Sequence, residues 1–223
     1  MKKVLRWKET IKLAKIYHIV KKANSDTLFR TVMLQAIFSA KKIDPNIDVY
    51  IASGFFNEIV NSGLTPVSAY ADSMVGTNLR NLLSGLNVTV YGAYNGKNDL
   101  LEFCKNLKTS GAKIKAFYKY RFHTKLFVIK SCDKVIFEII GSSNLTTSAY
   151  EGIRYTKTKS LPSYNSECDL ILMDDSLDLT LETDENIMLL EYAEKNKILF
   201  DERMNKAIEQ IKFFEADMKA LDV

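Results

Sequence analysis

The sequence holds little that would tie a fold together covalently or through a metal. Its 223 residues include three cysteines and two histidines. Cys104, Cys132 and Cys168 are scattered and odd in number, which argues against a disulfide framework. No Cys/His pair has zinc-ligand spacing, so no metal or other cofactor is expected. No apolar run approaches the roughly 18 residues that span a bilayer. The segment MKKVLRWKETIKL is basic but lacks an uninterrupted apolar stretch, so it reads poorly as a signal peptide, and a cytoplasmic protein without a membrane partner is expected. Nothing in the composition resembles a collagen-like or disordered chain, and no internal repeat is present.

What is there suits a packed globular fold. Hydrophobic residues make up 47% and charged residues 26%, enough for one domain or one domain with an appendage. The formal net charge of +4 hides an asymmetry. Residues 1–111 carry 15 Lys/Arg against 8 Asp/Glu, residues 112–160 carry 10 against 3, and residues 167–223 carry 6 against 16. A basic middle beside an acidic tail implies that an anionic ligand meets the middle.

Residues 1–42 read as helical, with Asn24 or Ser25 able to cap a helix containing Leu28, Val32, Ile37 and Phe38. Branched and aromatic content predicts a strand over Ile47–Ser53. The pattern then predicts a helix over Asp72–Ser84 ended by Gly85, a strand over Val88–Tyr91, a helix over Asn98–Ser110 ended by Gly111, and a strand over Lys113–Tyr118. Alternating strands and helices favour an α/β sheet. Two strands follow without a helix between them, Arg121–Lys130 and Lys134–Ser142, joined by a turn at Ser131, Cys132 and Asp133. A short helix after Asn144, a polar loop over Glu151–Tyr164 and a strand over Glu167–Met173 come next. From about Asp184 the chain reads as acidic amphipathic helix, with Met204, Ile208, Ile211 and Met218 near one face.

The hairpin carries the chemistry. On an extended strand His123, Lys125, Phe127 and Ile129 share one face. Phe127 and Ile129 would bury that face and leave Lys125 at its edge, where an ammonium is costly unless an anion meets it. Folding about residue 132 brings position 123 opposite roughly position 141, with about two residues of slack in register. The run Gly141-Ser142-Ser143-Asn144 therefore arrives beside His123. Lysine and asparagine can hold the non-bridging oxygens of a phosphodiester, while histidine attacks phosphorus or moves a proton. Taken singly, each piece has a plainer reading: His123 as a strand hydrogen-bonder, Lys125 as a solvated charge, Gly-Ser-Ser-Asn as a turn or helix cap.

Together the pieces resemble the phospholipase D superfamily, in which H-x-K on one strand is followed by G-S-x-N on the next. His123-Thr124-Lys125, Gly141-Ser142-Ser143-Asn144 and Asn165-Ser166-Glu167 occur in the family's order, and Asp48–Phe56 is similar to the strand opening such domains. The resemblance covers about residues 45–175. It implies a mixed α/β sheet flanked by helices, with a catalytic domain over residues 1–180 and an acidic helical extension over residues 181–223. It implies that His123 is a nucleophile forming a phosphohistidine, that Lys125 and Asn144 bind the phosphate, that Ser142 supports the phosphate pocket, and that Glu167 orients the imidazole. Lys130 stands where the family pattern has Asp. Ser143, Arg121, Arg154, Lys157 and Lys159 are candidate substrate contacts. In the last three's segment, cations interleave with Tyr150, Tyr155 and Tyr164, a composition that can grip phosphates and stack on bases, or simply stay solvated. His18 is expected to be structural or on the surface.

The family chemistry needs two H-x-K sites, and the chain supplies one, so a homodimer with a shared site is expected. The function expected is a metal-independent nuclease acting on nucleic acid, DNA before RNA. A phospholipid phosphodiesterase or transferase, and a degenerate nucleic-acid-binding module, are the alternatives.

Overall fold

The computed structural model describes residues 15–21, 28–56, 79–94, 97–143, 145, 153–155, 160–162, 167–177, 179, 181, 187–190 and 197–223. Their elements run β1 (Lys15–Lys21), α1 (Leu28–Ile43), β2 (Asp48–Ala52), α2 (Leu79–Leu83), β3 (Asn87–Gly92), α3 (Asn98–Thr109), β4 (Lys113–Tyr118), β5 (Leu126–Ser131), β6 (Lys134–Gly141), β7 (Ile153–Tyr155), β8 (Ser160–Pro162), β9 (Glu167–Met173), β10 (Ile187–Leu190), α4 (Lys197–Asp217) and β11 (Lys219–Leu221). Nine strands form one mixed sheet in the order β10-β1-β9-β6-β5-β2-β3-β4-β11. β2, β3 and β4 run parallel, and the other neighbours pair antiparallel.

Helices cover both faces. On one face, Val32, Met33 and Ile37 of α1 and Leu100, Phe103 and Leu107 of α3 pack with Tyr17, Val49, Val88, Phe127, Phe137 and Ile171. On the other, Met204, Ala207, Ile211 and Phe214 of α4 pack with Tyr91, Val128, Val135 and Leu172. Central strands buried on both faces read as nearly continuous apolar runs, which is why β5 and β6 are so hydrophobic. Each large side chain buried by α4 contributes about 1.5–3 kcal/mol of transfer energy. The Tyr91 hydroxyl donates to Glu215 at 3.1 Å and ties α4 to β3. Gly111 stops α3 at φ +94°, a conformation that costs glycine nothing. No helix among the described residues is long and apolar enough to cross a membrane.

Three expectations are corrected. Lys15–Lys21 is a strand, not helix: Tyr17 and Ile19 alternate inward, and β1 lies between β9 and β10. The region 151–164, expected to be a loop, contains a small hairpin in which Arg154 pairs with Leu161. The acidic region beyond 184 supplies two strands, β10 and β11, as well as α4. The cap residues Asn24 and Ser25, residues 72–78 and a helix after Asn144 fall outside the described residues.

Candidate active site

The sheet gathers the motif residues at one rim. Antiparallel pairing puts the start of β5 and the end of β6 beside the end of β2, because Ala52 lies opposite Leu126 and Leu126 opposite Ile140. The start of β9 joins them, with Asp169 opposite Gly141. The turn sits at Cys132 and Asp133 as the residue pattern implied, although the register slips once between Ile129 and Lys130. Continuing the open-end register sets position 123 level with 143, two residues from the sequence expectation.

The H-x-K run is not itself a strand. Phe122 turns its amide to the Lys119 carbonyl at 3.2 Å, and its ring packs edge-on against Phe214 at 5.1 Å. Arg121 adopts φ +62° in this turn. The chain therefore enters β5 only at Leu126, five residues later than expected at Arg121, and His123 stays exposed at the rim.

Lys125 is only 8% exposed. Its Nζ donates to the His123 carbonyl at 2.8 Å and lies 2.9 Å from both Nδ1 and Nε2 of the same ring. The two ring nitrogens accept along diverging in-plane directions, so the ammonium can donate well to at most one of them. The other close approach is charge against the ring. Desolvation first, and the Lys125 ammonium second, lower the His123 pKa from its ordinary 6.5. At neutral pH the imidazole is therefore uncharged and keeps a lone pair.

Across a cavity from Lys125 stand Gly141, Ser143 and Asp169, with Met33, Ile51 and Leu145 at its back. Asp169 is buried and accepts from the Ser143 amide at 3.2 Å and from its hydroxyl at 2.5 Å. Ser142 extends the β6–β9 ladder: its amide reaches the Cys168 carbonyl at 3.1 Å, and its Oγ accepts the Cys168 amide at 2.9 Å. A β-carbon on Gly141 would stand 2.2 Å from Asp169 Oδ1 and 2.4 Å from the Cys168 carbonyl. That close approach explains the glycine. Ser53, at the end of β2, accepts the Leu145 amide at 3.0 Å and so anchors the chain just past the motif.

Aromatic side chains wall His123. Tyr94 lies 5.3 Å away at 67°, Phe55 lies 6.4 Å away at 87°, and the two are 5.5 Å apart.

The remaining candidates are distributed as follows. Glu167 begins β9, two residues before Asp169. Arg121 is exposed, with its guanidinium 5.4 Å from the Tyr120 ring. Arg154 lies on β7. Asn144, Lys157 and Lys159 fall outside the described residues. Lys130 sits at the opposite end of the hairpin, 3.7 Å from Asp48 and 3.8 Å from Asp133. His18, on β1, places Nε2 2.9 Å from Cys168 Sγ. Among the described residues no three of His, Cys, Asp and Glu cluster as metal ligands would. Sequence reasoning missed Asp169, Phe55 and Tyr94. The available signal was a buried-type strand carrying a carboxylate directly after the Asn-Ser-Glu run.

No family model and no curated protein matches the chain. Solved structures overlap it in part. A polyphosphate kinase from Porphyromonas gingivalis shares 15% identity at TM-score 0.39 over 72% of this chain and 24% of its own. The yeast tyrosyl-DNA phosphodiesterase shares 8% at 0.40 over 74% and 47%. TrmBL2, an archaeal chromatin protein, shares 13% at 0.35 over 92% and 55%. The chain thus spans between about a quarter and just over half of the structures it overlaps.

Proposed function

We propose that this chain is a phosphodiesterase of nucleic acid in which His123 is the nucleophile. One observation carries the reading: a buried ammonium, Lys125, which lines a cavity with Ser143, lies against an exposed imidazole whose pKa is held down. A ring nitrogen of His123 attacks phosphorus, a P–N bond forms, and the P–O bond to the leaving group breaks. Lys125 neutralises a non-bridging oxygen as charge gathers there. Asn144 is the second phosphate ligand, Ser142 shapes the pocket, and Glu167 orients the imidazole. A second imidazole, charged once the anionic phosphate lies between the two copies, gives its proton to the leaving oxygen; now neutral, it takes a proton from the water that cleaves the P–N bond. One chain has one such imidazole, so the proposal includes a homodimer with two copies of His123 around one phosphate. Arg121, Arg154, Lys157 and Lys159 are its contacts with the flanking strand.

The test offers plasmid, single-stranded DNA, RNA and phospholipid to wild type and His123→Ala in excess EDTA. Cleavage of a nucleic acid that is lost in His123→Ala and insensitive to EDTA supports the reading. A labelled phosphohistidine after acid-free quenching would fix the nucleophile. Full activity in His123→Ala sinks it, and release of a lipid headgroup alone would transfer the site to phospholipids. Mixed dimers of wild-type and His123→Ala chains should fail at complete turnover; half the wild-type rate would remove the shared site.

A further inference from the structure

We propose that Phe55, Tyr94 and the Tyr120–Arg121 pair form a base-stacking rim beside His123, so that the site takes a phosphodiester flanked by an unpaired nucleotide. The inference rests on the phosphodiesterase reading for its phosphate, but its own evidence is the aromatic rim.

Aromatic rings usually bury their surface, and here Tyr94, beside the imidazole, and Tyr120, three residues before it, stay exposed, while Phe55 is half-buried. Tyr94 is 37% exposed and Tyr120 60% exposed. The rings around His123 touch one another but leave the Tyr94 side chain partly open to solvent. Tyr94 and Phe55 meet the imidazole at 67° and 87°, and each other at 39°, so they touch by edges and tilted faces and none is covered by a parallel stack. An exposed ring face is what a planar base stacks on.

The rim is held by backbone. The Tyr94 amide donates to the Gly54 carbonyl at 2.7 Å, the Arg121 amide to the Tyr94 carbonyl at 3.0 Å, and the Lys119 amide to the Gly92 carbonyl at 2.9 Å. The loops after β2, β3 and β4 are thereby stitched together, and the rim needs little ordering when a ligand arrives. Arg121 holds its left-handed φ of +62° inside this stitching, a conformation that disfavours residues with a β-carbon. Its guanidinium lies 5.4 Å from the Tyr120 ring, so a cation and an aromatic face are presented as one unit. Guanidinium for phosphate and ring for base is the pairing that single-strand-binding grooves use.

Geometry gives the selectivity. In a duplex the base faces are stacked within the helix, so aromatic groups beside the scissile phosphate meet only sugar and backbone. In a single strand, a bulge or a frayed end, the neighbouring base is available to the rim.

The experiment compares three oligonucleotides with the full chain: a single strand, its duplex, and an abasic strand of equal length. Binding is read by fluorescence anisotropy and cleavage by product release. Wild type should bind and cleave the base-bearing single strand at least about tenfold better than the abasic strand, as expected from stacking of one or two bases. Tyr94→Leu and Tyr120→Leu should each shrink that ratio about five- to tenfold, while Tyr94→Phe and Tyr120→Phe retain it. Thermal melts confirm that the leucine variants fold. A ratio unchanged in both leucine variants overturns the rim, as does wild type that treats duplex, abasic and single strands alike. If wild type prefers base-bearing single strands through these tyrosines yet cleaves nothing, the rim stands and the phosphodiesterase reading falls. If it cleaves all three equally, the reverse holds.

Discussion

Strand β6 carries buried charge to two places, and the two are built differently. At its middle, Glu138 is fully buried under α4, with Arg203 Nη2 2.7 Å from Oε1 and no hydrogen-bond partner for Oε2. At its end, Gly141–Ser143 meet Asp169 and face Lys125 across a cavity at the sheet rim. In the first pair the carboxylate is sealed, while a third of the Arg203 side chain stays in solvent. Desolvation outweighs the arginine and raises the Glu138 pKa to about 7. In the second set Ser143 donates to Asp169 and Lys125 to the His123 carbonyl, while Lys125, Ser143 and Asp169 line one small cavity. A buried carboxylate held by a partly exposed arginine gains little net stability, because desolvation offsets the attraction; the rim set differs in placing its charged groups around a cavity.

The sharpest way to break the contrast is Lys125→Met. If the rim serves phosphate, turnover should fall about 100- to 1000-fold, the usual loss when one transition-state donor is removed, with the melting temperature little changed. Steady-state hydrolysis together with a thermal melt reads both. A variant that unfolds with activity per folded molecule intact would make Lys125 as structural as Arg203.

The sealed carboxylate should show itself in pH. The Glu138 pKa is raised when folded, so between its ordinary 4.5 and about 7 the native state holds a proton that the unfolded state has lost. Stability from this group is therefore present below about 4.5 and declines as pH rises through 7, by a total on the order of 3 kcal/mol. Urea unfolding of Glu138→Gln from pH 4.5 to 8 should lose this slope; a slope equal to wild type would assign it to other groups.

Gly141→Ala should cost about 1–3 kcal/mol, because the new methyl meets backbone and a buried carboxylate. Asp169→Asn should be milder in stability, since an amide oxygen can still accept from Ser143, but it should loosen the turn and lower kcat more than it raises KM. Equal kinetics in Asp169→Asn would remove Asp169 from any positioning role.

The smallest effect concerns His123 itself. Its imidazole should titrate below 6.5 by NMR, and Lys125→Met should raise that pKa only part of the way back, because desolvation is the larger cause. A pKa at or above 6.5 in wild type would contradict the uncharged nucleophile.

Much of this was legible in the residues because local pattern governs local structure. Lys113–Tyr118 and Glu167–Met173 are strands at their expected limits, and the turn at Cys132 and Asp133 follows from two apolar runs with polar residues between them. The meeting of H-x-K with G-S-S needed only that turn. What escaped depends on chain segments far apart. β1 mixes lysines with apolar residues, and its alternation has meaning only once β9 lies beside it. Asp169 looks like a surface carboxylate until Gly141 stands opposite. Phe55 and Tyr94 follow different strands and become one wall only because β2 and β3 run parallel.

The two-residue turn of the β5–β6 hairpin has a kinetic consequence. Closing a short loop costs far less entropy than bringing β9 or β2 to the same sheet. The H-x-K and Gly-Ser-Ser runs therefore meet early in folding, while Asp169 and Ser53 can fasten them only after distant strands dock. Pulse-labelled hydrogen exchange should find Val128 and Phe137 protected before Ile171, so the chemical groups come together before the scaffold that makes them precise.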